Sequence, residues 1–213
     1  MSHADVPGAA AGPAAGERGS TRAFHALFAP VWIAFVAYQW WLELRRHVTD
    51  ALPTDVPAMH ADVAAALGAV GHLSSNAVEA LFYVAFWRAH GARLSFARLF
   101  EWLVTLSVLD LLSSGLARFA ESHPGWIAHA LEVFVGFGVV GGGVPGEVSG
   151  ARLAFGSVGL LCIARLVGTA AIQRRAAAGG FAAPLALTLA VWLIGRLASW
   201  WLADLAGGMS SRF

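Results

Sequence analysis

Six charged side chains inside the long apolar stretches of this 213-residue chain are the first candidates for chemistry. A charge in the hydrocarbon of a bilayer is costly, so such residues usually face other helices or water and pair with each other. Four acids and two bases would form two ion pairs and leave two carboxylates over. The six residues are Glu79, Glu101, Asp110, Glu132, Arg165 and Arg196.

Asp110 is predicted to lie deeper in its apolar segment than Glu101. Nine residues separate the two acids, which at roughly 100° per residue puts them on opposite sides of a helix. Glu101 lies three residues after Arg98, the spacing of an ion pair at a membrane edge. Asp110 could be a protonatable or cation-coordinating site, or the structural partner of Arg165 or Arg196. The structural role is favoured, because buried charges in helical bundles are normally paired.

Motifs that would indicate an enzyme or a cofactor site are missing from the sequence. The histidines are scattered over loops and helix ends, without an H-x-x-x-H or H-E-x-x-H pair that could bind a metal. His72 and His129 are the two nearest to suitable positions for the axial ligands of a haem. We therefore predict no catalytic residue, no metal site and no cofactor, and keep a haem-binding electron-transfer subunit as a further alternative.

The elements that would carry these residues are apolar segments long enough to cross a bilayer. Hydrocarbon about 30 Å thick requires about 20 helical residues. Hydrophobic residues make up 58% of the chain and the mean hydropathy is +0.65, well above the balance of an ordinary soluble domain. The sequence predicts an all-α, polytopic helical transmembrane bundle with six spans, five being the alternative. The predicted spans are residues 26–44, 73–87, 97–116, 126–144, 153–172 and 181–205.

The number of spans, six or five, depends on whether the segment 126–144 crosses the bilayer. It is apolar enough to cross but ends in three consecutive glycines. Gly138, Gly142 and Gly146 follow at four-residue spacing, which would form a smooth strip for close helix packing. The alternative, modestly favoured, is that these glycines break the helix near the membrane boundary. The segment is then either a full span or a partial, re-entrant one.

The rest of the sequence indicates the domain organisation and the cellular membrane in which the protein is expected. Residues 1–25 are predicted to be a disordered tail, 26–205 the transmembrane domain and 206–213 a short C-terminal tail. The single cysteine, Cys162, excludes an intramolecular disulfide. All 14 cationic residues are arginine, which together with abundant alanine and glycine suggests GC-rich bacterial coding and hence a bacterial inner membrane. The net charge of +1 gives no general attraction to nucleic acid.

Two stretches share the layout of a known family of membrane proteins. In residues 86–96, FWRAHGARLSF, a span ends, a basic glycine-containing hairpin follows and Ser-Phe opens the next span. Residues 160–168, LLCIARLVG, form a late span before a short loop and a closing helix. From about residue 74 to residue 205, this layout resembles the Yip family of multi-spanning membrane proteins, in its bacterial branch. Asp110 departs from the family, whose members often carry Tyr or Pro in this span. The resemblance implies a non-enzymatic helical membrane protein, and it transfers no catalytic residue.

Two main functional hypotheses follow, besides the haem alternative. The first is a non-catalytic integral membrane protein that acts by packing with itself, as a homo-oligomer, or with partner membrane proteins. The second is a small transporter or ion-conducting subunit that uses Glu79, Asp110 and Glu132, with Arg165 and Arg196 as counter-charges. Convergence of these side chains on a hydrated cavity would favour the second. The predicted environment in each case is the lipid bilayer, without a nucleic-acid partner.

Overall fold

The computed structural model describes residues 15–51, 57–123, 125–136, 158–174 and 180–210. Every regular element in these ranges is a helix and none is a strand, which confirms the all-α prediction. The helices are α1 (Ala15–Ala51), α2 (Ala58–Ala89), α3 (Phe96–Leu106), α4 (Val108–Ser122), α5 (Trp126–Val135), α6 (Leu160–Arg174) and α7 (Ala182–Ser210).

One helix in the described ranges is long and apolar enough by itself to cross a bilayer. It is the continuous stretch Phe96–Ala120, which combines α3 and α4 and has a mean hydropathy of 1.5. Trp126–Val135 and Ala182–Ala198 are shorter apolar helices. The structure therefore contains one candidate membrane span within an all-helical chain, and it does not establish the predicted six-span bundle.

Over most of α2, small residues face inward and larger apolar residues face outward, whereas Tyr83, Val84 and Trp87 near its end are buried. Buried alanines recur on one face of the helix, and branched side chains on other faces are exposed. A water-soluble helix would bury its large side chains, whereas helices in lipid pack through small ones. The buried set is Ala61, Ala65, Ala69 and Ala80, and the exposed set is Val63, Leu67, Val70, Val78 and Leu81.

The α1–α2 hairpin is the most extensive helix pair in the described ranges. A Cβ atom on Gly68 would lie 2.7 Å from Leu44 Cδ1, so the two helices approach closely there. Small residues therefore mediate packing on α2. The predicted strip Gly138, Gly142 and Gly146 lies outside the described residues.

Ser107 separates α3 from α4 and places Asp110 in the first turn of α4. The Ser107 side chain is buried and donates a hydrogen bond to the Val104 carbonyl at 2.7 Å. Trp40 Nε1 donates to the Ser107 hydroxyl at 3.4 Å. These bonds satisfy the polar groups at the irregular turn and connect it to α1.

The helix α5 is much shorter than the predicted span 126–144. Its 10 residues reach about 15 Å, half the thickness of the hydrocarbon. It ends at Gly136, whose φ of +114° is a backbone conformation that favours glycine. A Cβ atom on Gly159 would lie 2.3 Å from the Phe134 carbonyl oxygen, so the end of α5 abuts the start of α6.

Several helix ends differ from the predicted spans. The first helix begins at Ala15 rather than residue 26, and α2 begins at Ala58 rather than residue 73. Residues 58–71 are rich in alanine, which has the highest helix propensity and extends the helix beyond its apolar part. The last helix continues to Ser210, into the segment predicted as a C-terminal tail.

Candidate functional site

A polar stripe runs along the inner face of α2. Its residues are spaced by four, three and four positions, which places them on one side of a helix. Asn76 and Tyr83 are buried, so this stripe faces other helices. The stripe consists of His72, Asn76, Glu79 and Tyr83.

Matching stripes lie on α6 and α7. On α6 the spacing is three, four and four, and on α7 it is four and four. Thr169 and Gln173 of α6 and Thr188 of α7 are buried among the helices. The α6 stripe is Cys162, Arg165, Thr169 and Gln173, and the α7 stripe is Thr188, Trp192 and Arg196.

Arg165 forms the centre of the polar cluster. Its Nη1 donates to Asp110 Oδ2, and its Nη2 lies 3.6 Å from Glu79 Oε2. The same Nη2 donates to Asn76 Oδ1 at 3.4 Å. The Tyr83 hydroxyl donates to Glu79 Oε1 at 3.0 Å. One guanidinium of α6 therefore connects carboxylates of α2 and α4.

A chain of neutral hydrogen bonds closes one end of this polar interior. Trp87 Nε1 donates to Gln173 Oε1 at 2.8 Å, and Gln173 Nε2 donates to Thr188 Oγ1 at 3.0 Å. All three side chains are buried. Each of these side-chain donors has an acceptor, so the three hydrogen-bonded side chains can hold α2, α6 and α7 together without exposure to water.

Two adjoining cavities contain the charged cluster. The first, of about 600 Å³, lies among α2, α6 and α7 and is bordered by Glu79. The second, of about 650 Å³, extends towards the end of α1 at His47 and Asp50. Both are lined by Asp110, Cys162, Arg165 and Arg196.

Polar atoms without a protein partner line the first cavity. His72 Nε2 and Asn76 Nδ2 are buried and have no hydrogen-bond partner among the described residues. Arg196 interacts electrostatically with Asp110 and forms a hydrogen bond with Cys162, and its guanidinium lies 5.6 Å from the Trp192 ring centroid. The cavity thus presents hydrogen-bonding capacity that the protein does not use.

A second buried carboxylate, Glu43, lies between α1 and α4. It accepts hydrogen bonds from Ser114 and Arg118. His47 Nε2 lies 3.2 Å from its Oε1 and 3.3 Å from the Ser114 hydroxyl. Glu43 was not among the intramembrane charges predicted from the sequence, although its position four residues before His47 indicates a shared helix face.

Four of the five proposed charged residues converge in the structure: Glu79, Asp110, Arg165 and Arg196. Glu132 lies apart on α5, where its carboxylate is 3.5 Å from His129 Nδ1. The ring of His72, the other histidine considered for haem, packs 3.9 Å from Trp40. In the residues that the structure describes, no group of three His, Cys, Asp or Glu side chains could hold a metal ion.

Comparisons with models of protein families, with curated proteins and with solved structures find no match to this chain. The resemblance to the Yip family therefore stays a prediction, and the functional argument depends on the geometry of the cavity.

Proposed function

We propose that this protein is a multi-pass integral membrane protein of the transporter or ion-conducting type, in which a small ion such as a proton passes through the polar cavity. The observation that carries the proposal is that charged residues of α2, α4, α6 and α7 line one cavity. Charges inside apolar helices usually mark a substrate or ion pathway. If these residues served packing alone, apolar residues would stabilise the helices as well or better, because buried ion pairs contribute little net stability.

The contacts at the helix ends support five crossings in a bacterial inner membrane. The end of α4 meets the end of α1 through Arg118 and Glu43. The end of α6 meets the end of α2 through Gln173 and Trp87. The crossings would be α1, α2, the α3–α4 stretch, a combined α5–α6 crossing, and α7. Five crossings place the two termini on opposite sides of the membrane.

The combined α5–α6 crossing would be discontinuous. Because α5 ends at Gly136 beside Gly159, the two short helices together would cross the membrane once. Broken helices at mid-membrane are typical of transporter binding sites, where helix ends contact the solute. Cys162 and Arg165, in the first two turns of α6, line both cavities.

The sole cysteine allows a direct test for water in the cavity. In neutral-lipid vesicles, a charged, water-soluble methanethiosulfonate reagent is expected to modify Cys162. The matched control is Ile163→Cys in a Cys162→Ala background, since Ile163 is the outward-facing neighbour on α6. Modification of the control alone, or of neither cysteine, would contradict a hydrated cavity.

Proton flux into vesicles tests conduction by the carboxylates. With a pH-sensitive dye inside and a potassium diffusion potential, we expect protein-dependent acidification that Asp110→Asn strongly reduces. Glu132→Gln is the matched control because Glu132 lies apart from the cavity. Equal flux in the wild type and Asp110→Asn, or none beyond empty vesicles, would contradict the proposed conduction.

Packing with itself or with partner membrane proteins is the second candidate. An exposed apolar stripe on α2, formed by Val63, Leu67 and Val70, offers a surface for another helix. Disulfide or bifunctional cross-linking of Val70→Cys in a Cys162→Ala background should then recover a homo-oligomer or a defined neighbour. Recovery of neither would count against this function and leave the transporter proposal intact.

A further inference from the structure

Exposed residues of α2 and α7 border the cavity of about 600 Å³. They include Val78 and Phe82 of α2 and Ile194 of α7, which are 66%, 47% and 64% exposed. Leu187 and Val191 of α7 pack against the buried core of α2 and α3. In a bilayer, this exposed border would contact acyl chains, so the polar interior is reached from lipid.

The interior of the cavity has hydrogen-bond donors to spare, whereas its carboxylates are already engaged. Asp110 accepts from Arg165, and Glu79 accepts from Tyr83. In contrast, Asn76 Nδ2 has no partner among the described residues, although Asn76 is only 1% exposed. Arg196 also lines the cavity, where it lies near Asp110 and bonds to Cys162, and its five-donor guanidinium has further N–H groups for a ligand. A ligand that completes these bonds must be an acceptor, and the guanidinium favours an anion.

The start of α6 adds to this preference. The unsatisfied backbone N–H groups of a helix N-terminus and the helix dipole favour anions. Cys162, in the first turn of α6, lines the cavity beside Arg196. The side chains and the backbone therefore favour the same charge.

We propose that the cavity binds the phosphate of an anionic phospholipid, which enters from the bilayer between α2 and α7. The phosphate oxygens accept from Arg196 and Asn76, while the acyl chains remain outside, along Phe82 and Ile194. This inference depends on the cavity of the proposed function and adds a bound lipid beside the ion path. An apolar border around a polar interior suits the acyl chains and the headgroup of an amphiphile.

Alkylation of Cys162 by iodoacetamide, an uncharged reagent, measures occupancy in vesicles. Adding phosphatidylglycerol to phosphatidylcholine vesicles should slow alkylation about fivefold, as expected at about four-fifths occupancy. Ala89→Cys in a Cys162→Ala background, at the exposed end of α2, corrects for any general effect of the lipid. Arg196→Gln and, independently, Asn76→Leu should lose the protection. Arg174→Gln, the matched arginine at the exposed end of α6, should keep it.

The outcomes separate this inference from the proposed function. If Cys162 reacts with iodoacetamide in phosphatidylcholine and phosphatidylglycerol does not slow it, the lipid ligand is refuted and the hydrated cavity stands. If Cys162 reacts with neither iodoacetamide nor the charged reagent, the hydrated cavity itself is refuted. Equal protection by inorganic phosphate in phosphatidylcholine vesicles would overturn the lipid source and assign the site to an aqueous anion.

Discussion

Replacing Arg165 should destabilise the fold more than replacing either carboxylate beside it. The side chains of Arg165, Asp110 and Glu79 are 24%, 30% and 21% exposed. Removing one partner of a fully buried ion pair costs about 3–5 kcal/mol, which we reduce to about 2–3 kcal/mol for this partial exposure. Arg165→Met leaves two carboxylates without their cation. Asp110→Asn leaves Arg165 beside Glu79 and should cost about 1 kcal/mol.

The same reasoning predicts recovery when all four charges of the cavity are removed together. In the quadruple variant Glu79→Gln, Asp110→Asn, Arg165→Met, Arg196→Met, no charge that lines the cavity is left without a counter-ion. Its free energy of unfolding should return to within about 1 kcal/mol of the wild type. The double variant of Asp110 and Arg165 should be less destabilised than the sum of the single variants, by about 1–2 kcal/mol.

Unfolding by SDS in mixed detergent micelles, followed by the fluorescence of the nine tryptophans, measures these free energies. Arg174→Met is the matched control at the exposed end of α6 and should change stability by less than about 0.5 kcal/mol. Additive losses in the double variant, or a quadruple variant less stable than Arg165→Met, would refute the assigned ion-pair network.

Three further predictions concern the helix contacts and the topology. Gly159→Ala should cost about 1–3 kcal/mol in the same SDS titration, because its Cβ would clash with the Phe134 carbonyl oxygen. Gly115→Ala, with open space around it, should instead gain up to about 1 kcal/mol, and a reversed order would contradict the α5–α6 contact. Gln173→Leu should cost about 1–3 kcal/mol by leaving the buried Trp87 indole N–H unpaired, and an unchanged unfolding midpoint would contradict that bond. Reporter domains fused to either terminus should be accessible from opposite sides of the membrane, whereas access from one side would support six crossings.

The sequence favoured an arginine partner for Asp110, but it left that partner open between Arg165 and Arg196. Spacing within a helix fixes which residues share a face, but it does not fix the rotation of one helix against another. That rotation is set by packing between distant segments, such as Leu106 of α3 beside Gly168 of α6. Asp110 therefore contacts Arg165 directly, while Arg196 borders the same cavities.

The neutral members of the site were missed although the sequence contains a signal for them. Charged residues inside the apolar segments were predicted as site residues, whereas the neutral Asn76 and Gln173 were not. Both nevertheless continue stripes in which polar or reactive residues recur every three or four positions. A search for such stripes on several helices groups Asn76 with Glu79, and Gln173 with Arg165, from the order of the residues alone.

The polar stripes also explain why hydropathy indicates one clear span while the surface suggests more. The α2 helix carries Ser74, Ser75, Asn76 and Glu79 in its middle, and each lowers the mean hydropathy of the helix. The polar Asn76 is buried, however, while Val78, Leu81 and Phe82 of the same helix are exposed. The environment outside a helix contacts its exposed residues, so these residues, and not the average of the helix, indicate whether that environment is lipid. A helix that encloses a polar cavity should therefore combine polar residues on its inner face with an apolar outer face, which is the combination that α2 presents.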